Sequence, residues 1–293
     1  MIISICLAQF PGFSQKPGDI LKEKTEKDLQ NIVNSSAAQT GFMAVDLTTG
    51  ETIGINSDLV FAQASAIKIP ILMEVYKQAH EKKFSLSELK VLLPVNTVGG
   101  SGILNTMVDP VSLSIRNLCV LMITLSDNSA TNTLIDLVGM QAINSTMQTL
   151  GFSNTRVQRK MIDAQASRRG DENISTPAEA AKILNLLYQG KFIDKPTSDG
   201  ILSVLKKNGR ENSRVAKGLP SGVNIAFKPG GLNGVSTEWN IVFLDGRPYA
   251  LAVIVNFKLP GGSPDVIESI SKTLYNYYFL KARASKYGVI MDN

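Results

Sequence analysis

Trp239-Asn240-Ile241-Val242-Phe243-Leu244, the turn Asp245-Gly246-Arg247-Pro248 and Tyr249-Ala250-Leu251-Ala252-Val253-Ile254-Val255-Asn256-Phe257 decide the fold. Both outer runs are β-prone and of strand length, and the Gly- and Pro-containing turn makes them neighbours in one sheet. Moving toward the N-terminus, residues 223–228 form a further β-prone run. At the front of the chain, residues 41–47 and 51–56 flank Thr48-Thr49-Gly50 as a hairpin. Leu21, Leu29, Ile32 and Val33 recur at helix-like intervals within residues 19–38, and residues 264–284 close the chain with a second helix. Between Ser65 and about Tyr188 the periodicity is mostly helical, broken at Gly99-Gly100-Ser101-Gly102 and Arg168-Arg169-Gly170-Asp171. The expected architecture is α/β (α+β): an antiparallel sheet of about five strands built from both chain ends, flanked by helices, with an all-α subdomain inserted. Residues 19–293 form a single domain, its α/β part spanning 19–62 plus 206–293 and its all-α part 63–205.

Composition narrows the chemistry. His80 is the only imidazole among 293 residues, and Cys6 and Cys119 are the only thiols. With no CxxC or HExxH spacing, the sequence implies no metal site and no cofactor. His80 lies in Tyr76-Lys77-Gln78-Ala79-His80-Glu81-Lys82-Lys83, which reads as a solvated helix end, so acid–base work falls to Lys, Asp or Glu. The 30 Lys and Arg exceed the 25 Asp and Glu, but they are dispersed. Such mild basicity fits an anionic small-molecule substrate rather than nucleic acid. The apolar start Met1-Ile2-Ile3-Ser4-Ile5-Cys6-Leu7-Ala8-Gln9-Phe10 is too short to span a bilayer and is similar to the core of a secretory signal within residues 1–18. That implies export to the periplasm or the medium, and Cys119 left without a partner.

Ser65-Ala66-Ile67-Lys68 sets a hydroxyl and an amine on one helix face. A buried lysine can lose its proton and activate such a hydroxyl. The spacing alone is weak, because SxxK occurs at Ser65, Ser87, Ser203 and Ser269. Only Ser65 follows a strand hairpin and precedes the apolar run Ile67, Ile69, Ile71, Leu72 and Val75, where a lysine needs a reason to be buried. Leu125-Ser126-Asp127-Asn128 follows the apolar stretch Leu118-Cys119-Val120-Leu121-Met122-Ile123, and Lys228-Pro229-Gly230-Gly231 ends a strand-like run. Singly, Ser126-Asp127-Asn128 reads as a helix-capping cluster, Gly230-Gly231 as a turn and Lys228 as a solvated strand end.

Taken jointly, in this order and spacing, the three motifs resemble the class A β-lactamases and penicillin-binding proteins, the SxxK serine acyltransferases. The resemblance covers most of the chain after the N-terminal segment and implies a β-lactamase/transpeptidase-like fold. It implies that Ser65 attacks a cyclic amide carbonyl with Lys68 as base, and that Ser126 relays a proton to the leaving nitrogen. Asn128 would bind the substrate's side-chain amide, and Lys228 would attract its carboxylate. Gly230 and Gly231 would line the substrate strand, with the N–H groups of Ser65 and Gly231 as the oxyanion hole. Arg214 resembles a position where some members carry a carboxylate-binding guanidinium, and Asp127 is expected to order its turn.

Two departures stand out. Class A enzymes carry a water-activating Glu on a loop closed by a Thr-Pro step. Counting back without gaps from Thr176-Pro177, that position is Lys160, and residues 158–171 contain no Glu. Asp163, on a similar face if the segment is helical, or Lys160 itself, could serve as deacylation base; the two could equally form a structural ion pair. The second departure is Pro229, where the family usually has Thr or Ser, removing a hydroxyl and a backbone donor. The resemblance therefore implies a monomeric β-lactam hydrolase. A penicillin-binding acceptor that deacylates slowly, or a D-Ala-D-Ala peptidase or esterase with the same Ser-Lys machinery, are the alternatives.

Overall fold

In the computed structural model, which describes residues 17–259 and 265–291, helix α1 (Pro17–Asn34) leads into strands β1 (Gln39–Asp46) and β2 (Thr52–Ile55). Strand β3 (Phe61–Ala62) and a 3-10 turn (Ala64–Ile67) precede α2 (Lys68–His80). The inserted block continues with β4 (Leu89–Leu92), β5 (Val111–Ser114), α3 (Ile115–Thr124), α4 (Asn128–Val138) and α5 (Met140–Thr149). It ends with α6 (Ala164–Arg168), β6 (Ile174–Ser175), α7 (Pro177–Tyr188) and α8 (Lys195–Leu205). After α9 (Arg214–Lys217) come β7 (Asn224–Leu232), β8 (Val235–Phe243) and β9 (Tyr249–Asn256), and α10 (Val266–Arg283) closes the fold. The candidate secretory segment, with Cys6, lies outside the described residues.

The five long strands form one sheet in the order β2-β1-β9-β8-β7, every neighbouring pair antiparallel. Strand β1 from the front of the chain thus lies beside β9 from the back, with Gln39 opposite Asn256 and Asp46 opposite Tyr249. Both faces are covered. Ala250 and Ala252 join the core shared with α2, α7 and α8, whereas Leu251 and Val253 join the core shared with α1 and α10. This period of two explains why β9 reads as an unbroken apolar run: each face is buried, so neither needs polar residues. The inserted block is helical except for three short strands. β4 pairs with β5, and β6 pairs with β3, so that Phe61 faces Ser175 just ahead of the turn carrying Ser65.

Strand β7 is one of the two edges of the sheet and extends beyond the run 223–228, through Pro229, Gly230 and Gly231 to Leu232. Proline is tolerated there because its missing N–H falls on an edge strand. Gly234, at φ +76°, then turns the chain into β8, pairing Leu232 with Val235.

Candidate active site

The apolar residues around Lys68 explain its burial: Ile67, Ile69, Ile71, Leu72 and Val75 are all fully enclosed, and Lys68 itself has no exposed surface. Its Nζ lies 2.7 Å from the Ser126 carbonyl oxygen, 3.0 Å from Ser126 Oγ and 3.0 Å from Asn128 Oδ1. Burial, and next the positive charge of Lys228, hold its proton affinity well below the usual lysine range, with Asp127 opposing. A shift in this direction favours the unprotonated amine, the form that can act as a base. Ser65 sits one turn earlier, directly after Ala64, whose φ is +46°.

Sequence explains the opposite wall as well. Helix α3 buries Leu118, Cys119, Met122 and Ile123, and Ser126 reverses the chain in the left-handed region at φ +52°. Asp127 then caps α4, its Oδ1 accepting from Ala130 N at 2.9 Å. Its Oδ2 accepts from Ile103 N and Leu104 N at 2.7 and 2.9 Å, tying the 99–104 loop to the site. Asp127 therefore orders the turn, and Gly102 must be glycine: at φ +112°, a Cβ there would fall 2.2 Å from Asp127 Oδ2. Asn128 is fixed at both ends, accepting from Lys68 and donating from Nδ2 to Gly99 O at 3.0 Å.

Across the cleft, β7 brings Lys228, Gly230 and Gly231 to the Ser65 turn. Gly230 is packed too closely for any side chain, since a Cβ would lie 2.8 Å from Ser65 N and 2.6 Å from Thr237 Oγ1. Lys228 is 1% exposed and donates to Pro229 O at 2.9 Å. Burial brings its pKa down to about 7, against an upward pull from Glu238. Arg214 lines the same cavity, of about 410 Å3, with Ser65, Ser126, Lys217, Lys228 and Gly231, and its Nε lies 3.1 Å from Asp265 Oδ2. A second cavity of similar volume meets the first at Ser65 and Gly231 and is walled by the 159–173 loop.

That loop differs from expectation. Residues 158–163 are not helical, so Lys160 and Asp163 do not share a helix face. Lys160 pairs with Asp136 of α4 at 2.5 Å and is absent from the cavity lining, which corrects the expected pair with Asp163. Asp163 lines the cavity and caps α6, accepting from Ala166 N at 2.9 Å. Glu172, one residue beyond the Glu-free segment 158–171, also lines it, held by Arg159 at 2.8 Å and by Ser167 at 2.5 Å.

Three residues that organise the site escaped sequence reading. Gln63, fully buried, donates to Phe61 O and Ser175 O and accepts from Trp239 Nε1 and Thr237 Oγ1, fastening the Ser65 turn to the sheet and the loop end. Asn132 and Asn173 clasp the loop backbone, at Met161 and at Gln158 and Arg159 respectively. Asn132 had a readable signal, lying one helical turn after Asn128. Gln63 had none, because its partners are remote in sequence. His80, as expected, is solvated at the end of α2. Among the described residues, no group of three or more His, Cys, Asp or Glu could hold a metal ion.

A half-buried Ser65 one turn before the buried Lys68, with Ser126 Oγ 3.0 Å from the amine, is the kind of arrangement that can support serine acyl transfer. Residues 24–278 match the model of the beta-lactamase enzyme family, and the chain belongs to that family. It is 27% identical over 248 residues to beta-lactamase AST-1 of Nocardia asteroides, covering 80% of this chain and 76% of that one. Among solved structures, a beta-lactamase from Sphaerobacter thermophilus superposes with a TM-score of 0.78 at 26% identity, over 88% of this chain and 98% of that one. A variant of PBP-A, solved as an acyl-enzyme complex with penicillin G, gives a TM-score of 0.79 at 25% identity, over 88% and 97%.

Proposed function

We propose that the protein hydrolyses β-lactams through an acyl-Ser65 intermediate, without a metal or cofactor. The observation that carries this reading is the fully buried Lys68, its proton affinity depressed, within 3.0 Å of Ser126 Oγ and Asn128 Oδ1. Neutral Lys68 takes the Ser65 hydroxyl proton as Oγ bonds to the lactam carbonyl carbon, and the N–H groups of Ser65 and Gly231 receive the negative oxygen. When the C–N bond breaks, Ser126 gives its hydroxyl proton to the departing nitrogen and recovers one from Lys68 across the 3.0 Å contact, since a hydroxyl both donates and accepts. Lys228 and Arg214 receive the substrate's carboxylate. Water then bonds to the ester carbonyl carbon as Asp163 takes its proton, and when the C–Oγ bond breaks that proton returns to Ser65 Oγ, freeing the acid and restoring the enzyme. Export follows from the N-terminal segment and is part of the proposal; among the described residues, no helix is long and apolar enough to cross a membrane.

Turnover of a chromogenic cephalosporin by purified protein tests this reading, and a rate equal to that of Ser65→Ala would refute it. A second reading is favoured by one observation: the position expected to hold the loop glutamate is Lys160, turned toward Asp136. The protein would then acylate and stall as a penicillin-binding acceptor. Intact-mass spectrometry separates the two, since an adduct of penicillin persisting for hours supports the acceptor and rapid return to the free mass supports the hydrolase.

A further inference from the structure

Glu238 is a carboxylate with no exposed surface on β8, directly opposite Pro229 of the edge strand. Nothing in the acylation steps uses it. A buried carboxylate is expensive unless donors surround it. Here the principal donors come from one short segment, Ser213 Oγ, Arg214 N at 2.8 Å and Val215 N at 3.5 Å, with the Asn240 side chain of β8 adding a weaker one. The Ser213 hydroxyl accepts from Ala216 N at 2.9 Å, so its own proton is directed to Glu238. Burial raises its pKa above the usual carboxylate range, and the donors around it pull the other way, toward the ionised form. The same segment carries Arg214 and Lys217 into the cavity that holds Lys228 and Ser65. Glu238 is also the group whose charge pulls the Lys228 pKa upward against burial.

We infer that Glu238 is a positioning residue for the anion-receiving end of the cavity, anchoring the 213–215 segment that carries Arg214 and placing a buried carboxylate behind the edge strand, on the opposite face of the sheet from Lys228. This rests on the reading in which Lys228 and Arg214 receive the substrate's carboxylate. The Arg214 guanidinium pairs with Asp265, so what Glu238 supplies to Arg214 is an anchor for its backbone, whereas Lys228 is a desolvated cation at the sheet edge. One carboxylate behind the strand serves both, through backbone donors for Arg214 and through the field for Lys228. The other charged groups facing Lys228 are Lys68 from α2, with Asp127 behind it, and Glu211, Arg214 and Lys217 from residues 211–217 across the cavity.

The test compares second-order acylation constants for a cephalosporin bearing its free carboxylate and for its methyl ester. In the wild type, acylation by the acid falls as pH rises through about 7, where Lys228 loses its proton, and the ester lacks this limb. Glu238→Gln removes the upward pull, so the limb should move to lower pH by roughly one unit, and acylation by the acid should fall about tenfold more than by the ester. Glu238→Asp should recover part of both. A purely structural role would slow both substrates equally and leave the limb in place, and that result overturns the inference. Should Glu238→Gln not fold, Ser213→Ala reports instead: about a threefold loss for acid over ester supports the inference and an unchanged ratio overturns it. Wild-type protein that forms no adduct with either substrate would sink the functional reading itself, and the inference with it.

Discussion

Two walls of the same cleft are braced alike and equipped differently. The corner formed by the Ser65 turn, α2 and the start of α4 is held by Gln63, Asp127 and Asn128. The 158–173 loop is held as thoroughly by Asn132, Asn173 and the Arg159–Glu172 pair. The difference lies in the ionisable groups. The first wall encloses Lys68, with its proton affinity shifted, whereas the second leaves Asp163 and Lys160 exposed and commits Glu172 to Arg159. Backbone bracing and proton chemistry are thus separable: a loop can keep its shape as a wall of the cavity without carrying an enclosed base. If, as proposed, the ester is made at the first wall and broken at the second, substitutions in each should affect different steps.

Ser65→Ala should have the largest effect, abolishing the covalent adduct and lowering any turnover by about 10^4-fold or more, as read by intact mass and chromogenic rate. No other hydroxyl stands one turn before Lys68. An adduct surviving in this variant would break the assignment of the first wall to acylation. Asp163→Asn comes next and addresses the second wall. Acylation should be unchanged while decay of the adduct slows by roughly 10^2-fold, since proton removal from water by a placed carboxylate is worth about that much. The asparagine can still cap α6, so lost folding is not expected to blur the result. Equal decay in both proteins would mean that the loop serves only as a wall.

Gly230→Ala should weaken acylation by about 10- to 100-fold with the nucleophile intact. The added Cβ would press on Ser65 N, Gln63 O and Thr237 Oγ1, and moving the turn by a fraction of an ångström misaligns the attack. Gly231→Ala, with nothing closer than 4.0 Å to its Cβ, should be nearly silent beside it. A pair of equal losses would show that the sheet edge, rather than its close approach to Ser65, is what matters.

Much of the first wall was legible in sequence, and the reasons are physical. A helix as apolar as α2 has one explanation for a lysine inside it, and Ser126-Asp127-Asn128 doubles as a cap that the fold needs. The strands from both chain ends could be read from their β-prone runs, although β7 was cut short at Lys228 because Pro and Gly are poor strand formers away from an edge. The hairpin signal Asn233-Gly234 marks the true end of β7 and lay unread in the sequence. The loop was far less legible. Its conformation is set by side-chain bonds from Asn132 of α4 and from Asn173 at the far end of the loop, so residues 160–163 form no helix and Lys160 and Asp163 share no face. Glu238 gave no signal at all, because its donors are remote in sequence.

Lys160→Ala should have the smallest effect and sharpens the comparison most directly. The ammonium is 43% exposed and its partner Asp136 is 62% exposed, so the pair is solvent-screened and worth little to stability. If the second wall contributes through Asp163 alone, acylation and decay of the adduct should both stay within about twofold of the wild type, and stability within about 0.5 kcal/mol. A slower decay with unchanged acylation would instead mean that Lys160 leaves Asp136 once the acyl group fills the cavity and reaches the ester from the loop. Measured beside Asp163→Asn on one penicillin adduct, the two decay rates decide whether this wall holds one working carboxylate, a lysine that swings in, or neither.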